Sequence, residues 1–77
     1  MNLEDEMRDL QLADNAIAAA RSRIARQVEL LQALEKDGRN TRLAEKLLAE
    51  MQRTLRTMIE FRAVIATAID SMTSKKL

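Results

Sequence analysis

Apolar residues recur in the first half of the chain at alternating intervals of three and four residues. This spacing is close to the 3.5-residue repeat of helices that pack side by side. With Leu3 at heptad position d, the other d positions are Leu10, Ile17, Ile24 and Leu31, and the a positions are Met7, Asp14, Arg21, Val28 and Glu35. The pattern predicts a first helix over about residues 3–37.

A second apolar stripe with the same spacing follows in the other half of the chain. Its members are Ala44, Leu48, Met51, Leu55, Met58, Ile65, Ile69 and Met72. Arg62 occupies one position of this stripe and interrupts it. The stripe predicts a second helix over about residues 41–72.

Between the stripes lies EKDGRNTRL, residues 35–43, which contains the only glycine of a chain without proline. Gly38 suits the left-handed backbone position that ends many helices, and either Asn40 or Thr41 can cap the next helix. We therefore predict a turn at residues 38–40. Because so short a connection brings the second helix back along the first, the predicted fold is all-α. It is an antiparallel two-helix hairpin, coiled-coil-like, in a single domain of residues 1–77.

The centre of the turn also predicts which residues face each other. If that centre lies between Arg39 and Asn40, each residue faces the one equally far from the centre on the other helix. Arg62 then faces Ile17, and its long side chain reaches one turn further, to Asp14. We predict that this pair disfavours wrong registers of the two helices. A small anion site lined by Arg21 and Arg62 is the alternative.

Two helices form only one interface, and a chain below about 80 residues draws little stability from one core, so further burial is expected. The g positions lie along one side of the hairpin and are mostly apolar or small. From this side we predict a partner face of Ala20, Leu34, Leu47, Phe61 and Ala68. A two-fold homodimer forming a four-helix bundle would cover it, and a trimer or a different partner protein would serve equally.

Composition narrows the chemistry available to the chain. Hydrophobic residues make up 47% and charged residues 32%, which excludes the composition of disordered chains. Without histidine and cysteine the usual general bases, nucleophilic pairs and zinc sites cannot be assembled. We predict that the protein is not an enzyme and needs no cofactor or metal. The acidic start MNLEDEMRDL lacks a secretory signal, so a cytoplasmic protein with no membrane contact is expected.

Five arginines form a candidate anion site, which we call the arginine belt. They are predicted to lie at one level of the hairpin: Arg21, Arg23, Arg26, Arg53 and Arg56. Phosphate or nucleic acid is the ligand that suits such a group. The net charge is only +1 and the single aromatic residue offers no platform for bases, so nucleic acid is not the expected partner.

From Arg23 to Met58 the sequence resembles small uncharacterised helical-hairpin proteins of alphaproteobacteria, in RIARQ, LEKDGRNT and AEKLL. The resemblance implies a helical hairpin in a bacterial cytoplasm and implies no activity. Two functions are therefore weighed from the residues alone. The first is a non-enzymatic structural or adaptor protein that acts through helix-mediated self-association or a protein partner. The alternative is phosphate or nucleic-acid binding through the arginine belt.

Overall fold

The computed structural model describes residues 2–74, which form two long helices joined by a short turn. Helix α1 spans Leu3–Lys36 and helix α2 spans Arg42–Ser74. The helices lie antiparallel and pack against each other in a rod of 61 × 17 × 15 Å. The predicted all-α hairpin is thus confirmed, and residues 2–74 contain no strand. In the described part of the chain, neither helix is both long and apolar enough to cross a membrane.

The end of α1 is fixed by hydrogen bonds that depend on Gly38. This residue has a φ of 69°, in the left-handed region that glycine adopts without strain. The amide of Gly38 donates to the carbonyl of Glu35 over 3.1 Å, and the amide of Arg39 donates to that of Leu34 over 2.9 Å. This pair of bonds is the Schellman motif, which satisfies the free carbonyls at a helix end. The motif stops α1 and turns the chain back.

The beginning of α2 uses both of the predicted capping residues. The side-chain oxygen of Asn40 accepts a hydrogen bond from the amide of Arg42 at 2.9 Å. The backbone carbonyl of Thr41 accepts from the amide of Glu45, also at 2.9 Å. Of the two candidates, Asn40 therefore caps α2 with its side chain, whereas Thr41 supplies only the backbone acceptor of the first intrahelical bond.

The register differs from the one expected from the centre of the turn. Gln27 should face Gln52, but its side-chain amide donates to the backbone carbonyl of Ala44 at 3.0 Å. Ala44 lies about two helical turns nearer the turn than Gln52 does. The expectation assumed that both helices end at the same height. Instead, each part of α1 lies beside residues of α2 that are nearer the start of α2 than the predicted register would place them.

The side of α1 that faces α2 is also rotated from the predicted one. Exposed residues occupy three of the predicted a positions: Met7, Arg21 and Glu35. The d row is retained, but the g row replaces much of the a row. Its five members, all buried or half-buried, are Glu6, Ala13, Ala20, Gln27 and Leu34. Burying the charged a row would be costly, whereas the alanines of the g row let α2 approach closely.

The interface between the helices buries little apolar surface. Among the described residues only four apolar side chains are buried, and none is fully enclosed: Ile17, Ala20, Ala44 and Ile65. On α2 the predicted stripe does face α1, but most of its members are only half-buried. The hairpin thus leaves many large apolar side chains in contact with solvent.

Gly38→Ala should lower the free energy of unfolding by about 1 kcal/mol, because it places a Cβ on a left-handed residue. A Cβ at this position meets no atom within 4 Å, so the cost is conformational and not steric. Gly38→Asn should cost less, since Asn tolerates this backbone region better. Urea unfolding monitored by circular dichroism measures both effects, and equal losses for the two variants would contradict the explanation.

Gln27→Ala should cost about 1 kcal/mol, because the side chain loses a buried hydrogen bond across the helices. Gln32→Ala is the matched control, since Gln32 lies exposed on the same helix. Its effect should stay within about 0.5 kcal/mol. If the two substitutions change the unfolding midpoint equally, the observed register does not depend on Gln27.

Candidate partner-binding surface

One side of the hairpin carries a long apolar depression between the two helices. Its larger part, the large groove, has a volume of about 590 Å³. The walls come from α1 and α2 and are mostly apolar or small: Asp9, Leu12, Ala13, Ala16, Thr54, Thr57, Met58, Phe61 and Ile65. Asp9 is the one charged residue among them. The chemistry of the large groove therefore suits an apolar side chain and not an anion or a metal ion.

A second depression, the small groove, continues the first toward the turn. It has a volume of about 240 Å³ and is lined by Ala20, Arg23, Leu47, Glu50, Met51, Thr54 and Met58. Thr54 and Met58 line both grooves, so the two lie end to end on the same side. We call this side of the hairpin the grooved face. It extends from Asp9 to Arg23 on α1 and from Leu47 to Ile65 on α2.

Three large apolar side chains of the grooved face are exposed to solvent. Phe61 is 64% exposed, Leu12 is 60% exposed and Leu47 is 49% exposed. Leu47, Thr54 and Phe61 are spaced by seven residues, which is close to two full turns and places them in one row along α2. A contiguous row of this kind marks an association surface more often than scattered exposed residues do.

The predicted partner face divides when it is placed on the structure. Leu47 and Phe61 are exposed and line the grooves, as a partner face requires. Ala20 also lines the small groove, but it is only 7% exposed and packs between the helices. Leu34 and Ala68 are half-buried and line neither groove.

Sequence reasoning missed the wall that α1 contributes. Leu12 and Ala16 lie on rows that a strict a-and-d interface would point away from the partner helix. They reach the large groove because α1 faces α2 with its g row. The signal was present in the polar a row, which indicates that α1 turns another side inward.

Two charged side chains on the grooved face lie close to each other in space. Arg53 and Glu50, one turn apart on α2, form an ion pair of 2.7 Å beside the small groove. Both side chains are largely exposed, so the pair contributes little stability. It does supply Arg53 with a counter-ion of its own.

The arginine belt does not converge on one surface. Arg21 and Arg23 are two residues apart on α1 and point to different sides of the helix. Arg23 was expected beside Arg56, but it lines the small groove with Glu50. Arg53 is paired with that same Glu50. The belt is therefore divided between different sides of α1, and Glu50 is the carboxylate beside both Arg23 and Arg53.

Asp14 and Arg62 are brought together across the two helices. The Nε of Arg62 donates a hydrogen bond to the Oδ1 of Asp14. The side chain of Arg62 is 40% exposed and that of Asp14 is 44% exposed. The pair lies at the edge of the interface. The hydrogen bond and the attraction to Asp14 raise the pKa of Arg62 above its ordinary value.

Because the pKa of Arg62 is higher in the folded protein than in the unfolded chain, protonated Arg62 stabilises the fold. This stabilisation is fully present at any pH below the pKa of the unfolded chain. It is lost only as the pH rises through the folded pKa, and an arginine titrates far above the neutral range. Arg62 thus stays charged near neutrality. Arg62 is already bound to Asp14. The anion site predicted from Arg21 and Arg62 therefore lacks one of its two free cations.

Metal binding finds no support in the part of the chain that is described. Within residues 2–74, no three carboxylate side chains cluster closely enough to hold a metal ion.

No protein-family model matches the chain, and neither a curated protein nor a solved structure matches it with significance. The resemblance to alphaproteobacterial hairpin proteins therefore stays a prediction. Function has to be argued from the surface of this chain alone.

Asp14→Ala and Arg62→Ala should each lower the free energy of unfolding, and the double variant should lose less than the sum of the two. The reason is that each single substitution already removes the same ion pair. Chemical denaturation of the four proteins in the cycle measures the coupling. Arg56→Ala, which removes an exposed arginine of α2, should show no coupling with Asp14→Ala. A coupling of zero for Asp14 with Arg62 would remove the pair as a determinant of register.

Proposed function

We propose that this protein is a non-enzymatic structural or adaptor protein that acts by helix-mediated association through its grooved face. The observation that carries the proposal is the exposure of Phe61 and Leu47 in one continuous apolar depression. Aromatic residues such as phenylalanine are enriched in protein interfaces, and contiguous exposed apolar surface marks interaction sites. An apolar helical surface is the partner that fits them.

The small core of the hairpin supports the same proposal. With four apolar residues buried in residues 2–74, the two helices leave most of their apolar surface uncovered. A chain of this size usually needs another source of stability, such as disulfides, a metal or association. The chain has no cysteine or histidine, so association is the source that its composition favours. The same absence of cysteine fits a reducing compartment, and we propose that the protein acts in the cytoplasm.

The competing function, phosphate or nucleic-acid binding by the arginine belt, is less well supported. Phosphate recognition requires several cations that converge on one ligand. The belt arginines point in different directions, and Arg53 already has Glu50 as its partner. With a net charge of +1 the chain also exerts little long-range attraction on a polyanion.

Phe61→Glu should weaken association about tenfold or more, because it places a charge in the centre of the apolar surface. Ile59→Glu is the matched control, since Ile59 is exposed on a different side of α2 and lines neither groove. Its effect should be small. Affinity chromatography of the purified chain and of a cell lysate, with mass measurement of what is retained, compares the variants.

The salt dependence separates the two functions. Apolar association should change little between roughly 50 and 200 mM salt, whereas a complex held by phosphate contacts loses affinity steeply over this range. Reversing the charges of Arg26 and Arg56, which are exposed and line neither groove, should leave association intact. Retention of nuclease-sensitive nucleic acid that disappears on charge reversal, with the hairpin still folded, would replace our proposal with the alternative.

A further inference from the structure

We infer that the occupant of the grooved face is a second copy of this chain, related to the first by a two-fold axis that crosses the face at Thr54. This inference rests on the proposed function and names its partner. In the resulting four-helix bundle, Phe61 of each copy packs beside Leu47 of the other.

The accessible surface of the chain is the first argument. It amounts to 6114 Å². A compact monomer of 8.8 kDa exposes only about 4,800 Å² by the usual scaling with mass. Two separate copies together expose about 12,200 Å², whereas one compact protein of twice the mass exposes about 7,900 Å². A dimer as compact as that protein would therefore bury about 4,300 Å², which lies within the range of obligate homodimers.

The symmetry of the grooved face is the second argument. A two-fold interface must match itself, so each feature on one side of the axis needs its complement at an equal distance on the other side. Leu47 and Phe61, the exposed apolar residues that line the grooves from α2, are each about two turns from Thr54. A two-fold axis at Thr54 therefore places the large groove of one copy over the small groove of the other. Phe61 then enters the small groove, beside Leu47.

The α1 side of the face agrees with this position of the axis. The two grooves meet where α1 carries Ala16 in the large groove and Ala20 in the small groove. Small side chains at this point let the two copies of α1 approach each other closely. The bulky residue of the α1 wall, Leu12, lies further from the axis, in the large groove.

The charges near the axis permit the arrangement. Arg53 precedes Thr54 directly, so two copies of Arg53 come near each other across the axis. Each of them is already paired with its own Glu50 at 2.7 Å. The copies therefore meet at this point as two neutral pairs and not as two bare cations, and the repulsion between like charges is correspondingly small.

Because the chain has no cysteine, single-cysteine variants test the axis directly. Thr54→Cys should form an intermolecular disulfide in high yield under mild oxidation, since only a residue at the axis meets its own copy. A disulfide requires Cα atoms within about 7 Å of each other. Thr67→Cys is the matched control, because Thr67 is exposed and lies on the other side of α2. It should remain unlinked.

Sedimentation equilibrium of the unmodified chain provides the second measurement. We expect a mass of twice 8.8 kDa at micromolar concentrations. A dimer that is linked through Thr67→Cys and not through Thr54→Cys would overturn the inference, as would a trimer or a monomer. A folded monomer that retains a different protein in a Phe61-dependent manner would overturn only the inference and leave the proposed function in place. If Phe61→Glu and Ile59→Glu behave alike, the proposed function itself fails.

Discussion

The amount of apolar surface that two helices can cover is the constraint on which the rest of this structure depends. A helix buries one stripe against one neighbour, and in this hairpin the stripe of α1 contains alanines and polar residues as well as aliphatic ones. Within residues 2–74 the result is a core of four buried apolar residues. The other leucines and isoleucines of these residues, and Phe61, are half-buried or exposed. The grooved face is one part of this uncovered surface, and other exposed residues such as Leu43 and Val64 lie outside it.

The polar groups at the interface do work that the small core cannot do. Apolar side chains of similar size pack almost equally well in several registers, so they do not select one of them. The hydrogen bond from Gln27 to the carbonyl of Ala44 and the ion pair of Asp14 with Arg62 form only in one register. Polar residues inside coiled coils have the same effect, since a wrong register leaves them without partners. We therefore expect the register to depend on these few residues more than on the apolar core.

Exposure of the arginines follows from the same constraint. The a row of α1 includes Asp14, Arg21 and Glu35, and desolvating all of these side chains would cost more than the small interface returns. The helix therefore presents its g row, and Arg21 stays in solvent. This rotation also moves Leu12 and Ala16 to the rim of the interface, where they form the second wall of the large groove. One choice of helix face accounts both for the exposure of Arg21 and for the α1 wall of the large groove.

By itself the sequence determined the local structure. The heptad spacing predicted two helices, and Gly38 predicted the boundary between them. Glycine adopts a left-handed backbone without help from the rest of the fold, and Gly38 has this conformation. It also singled out Phe61 and Leu47 and the partnership of Asp14 with Arg62, because spacing places these residues on known rows. Only the tertiary structure decided the rotation and the axial shift of the helices. Both depend on many weak contacts made at once, such as the fit of Ala20 against α2 and the reach of Gln27 to Ala44. A heptad pattern shows which residues share a row along one helix. The free energy that decides which row faces the other helix depends on both helices together.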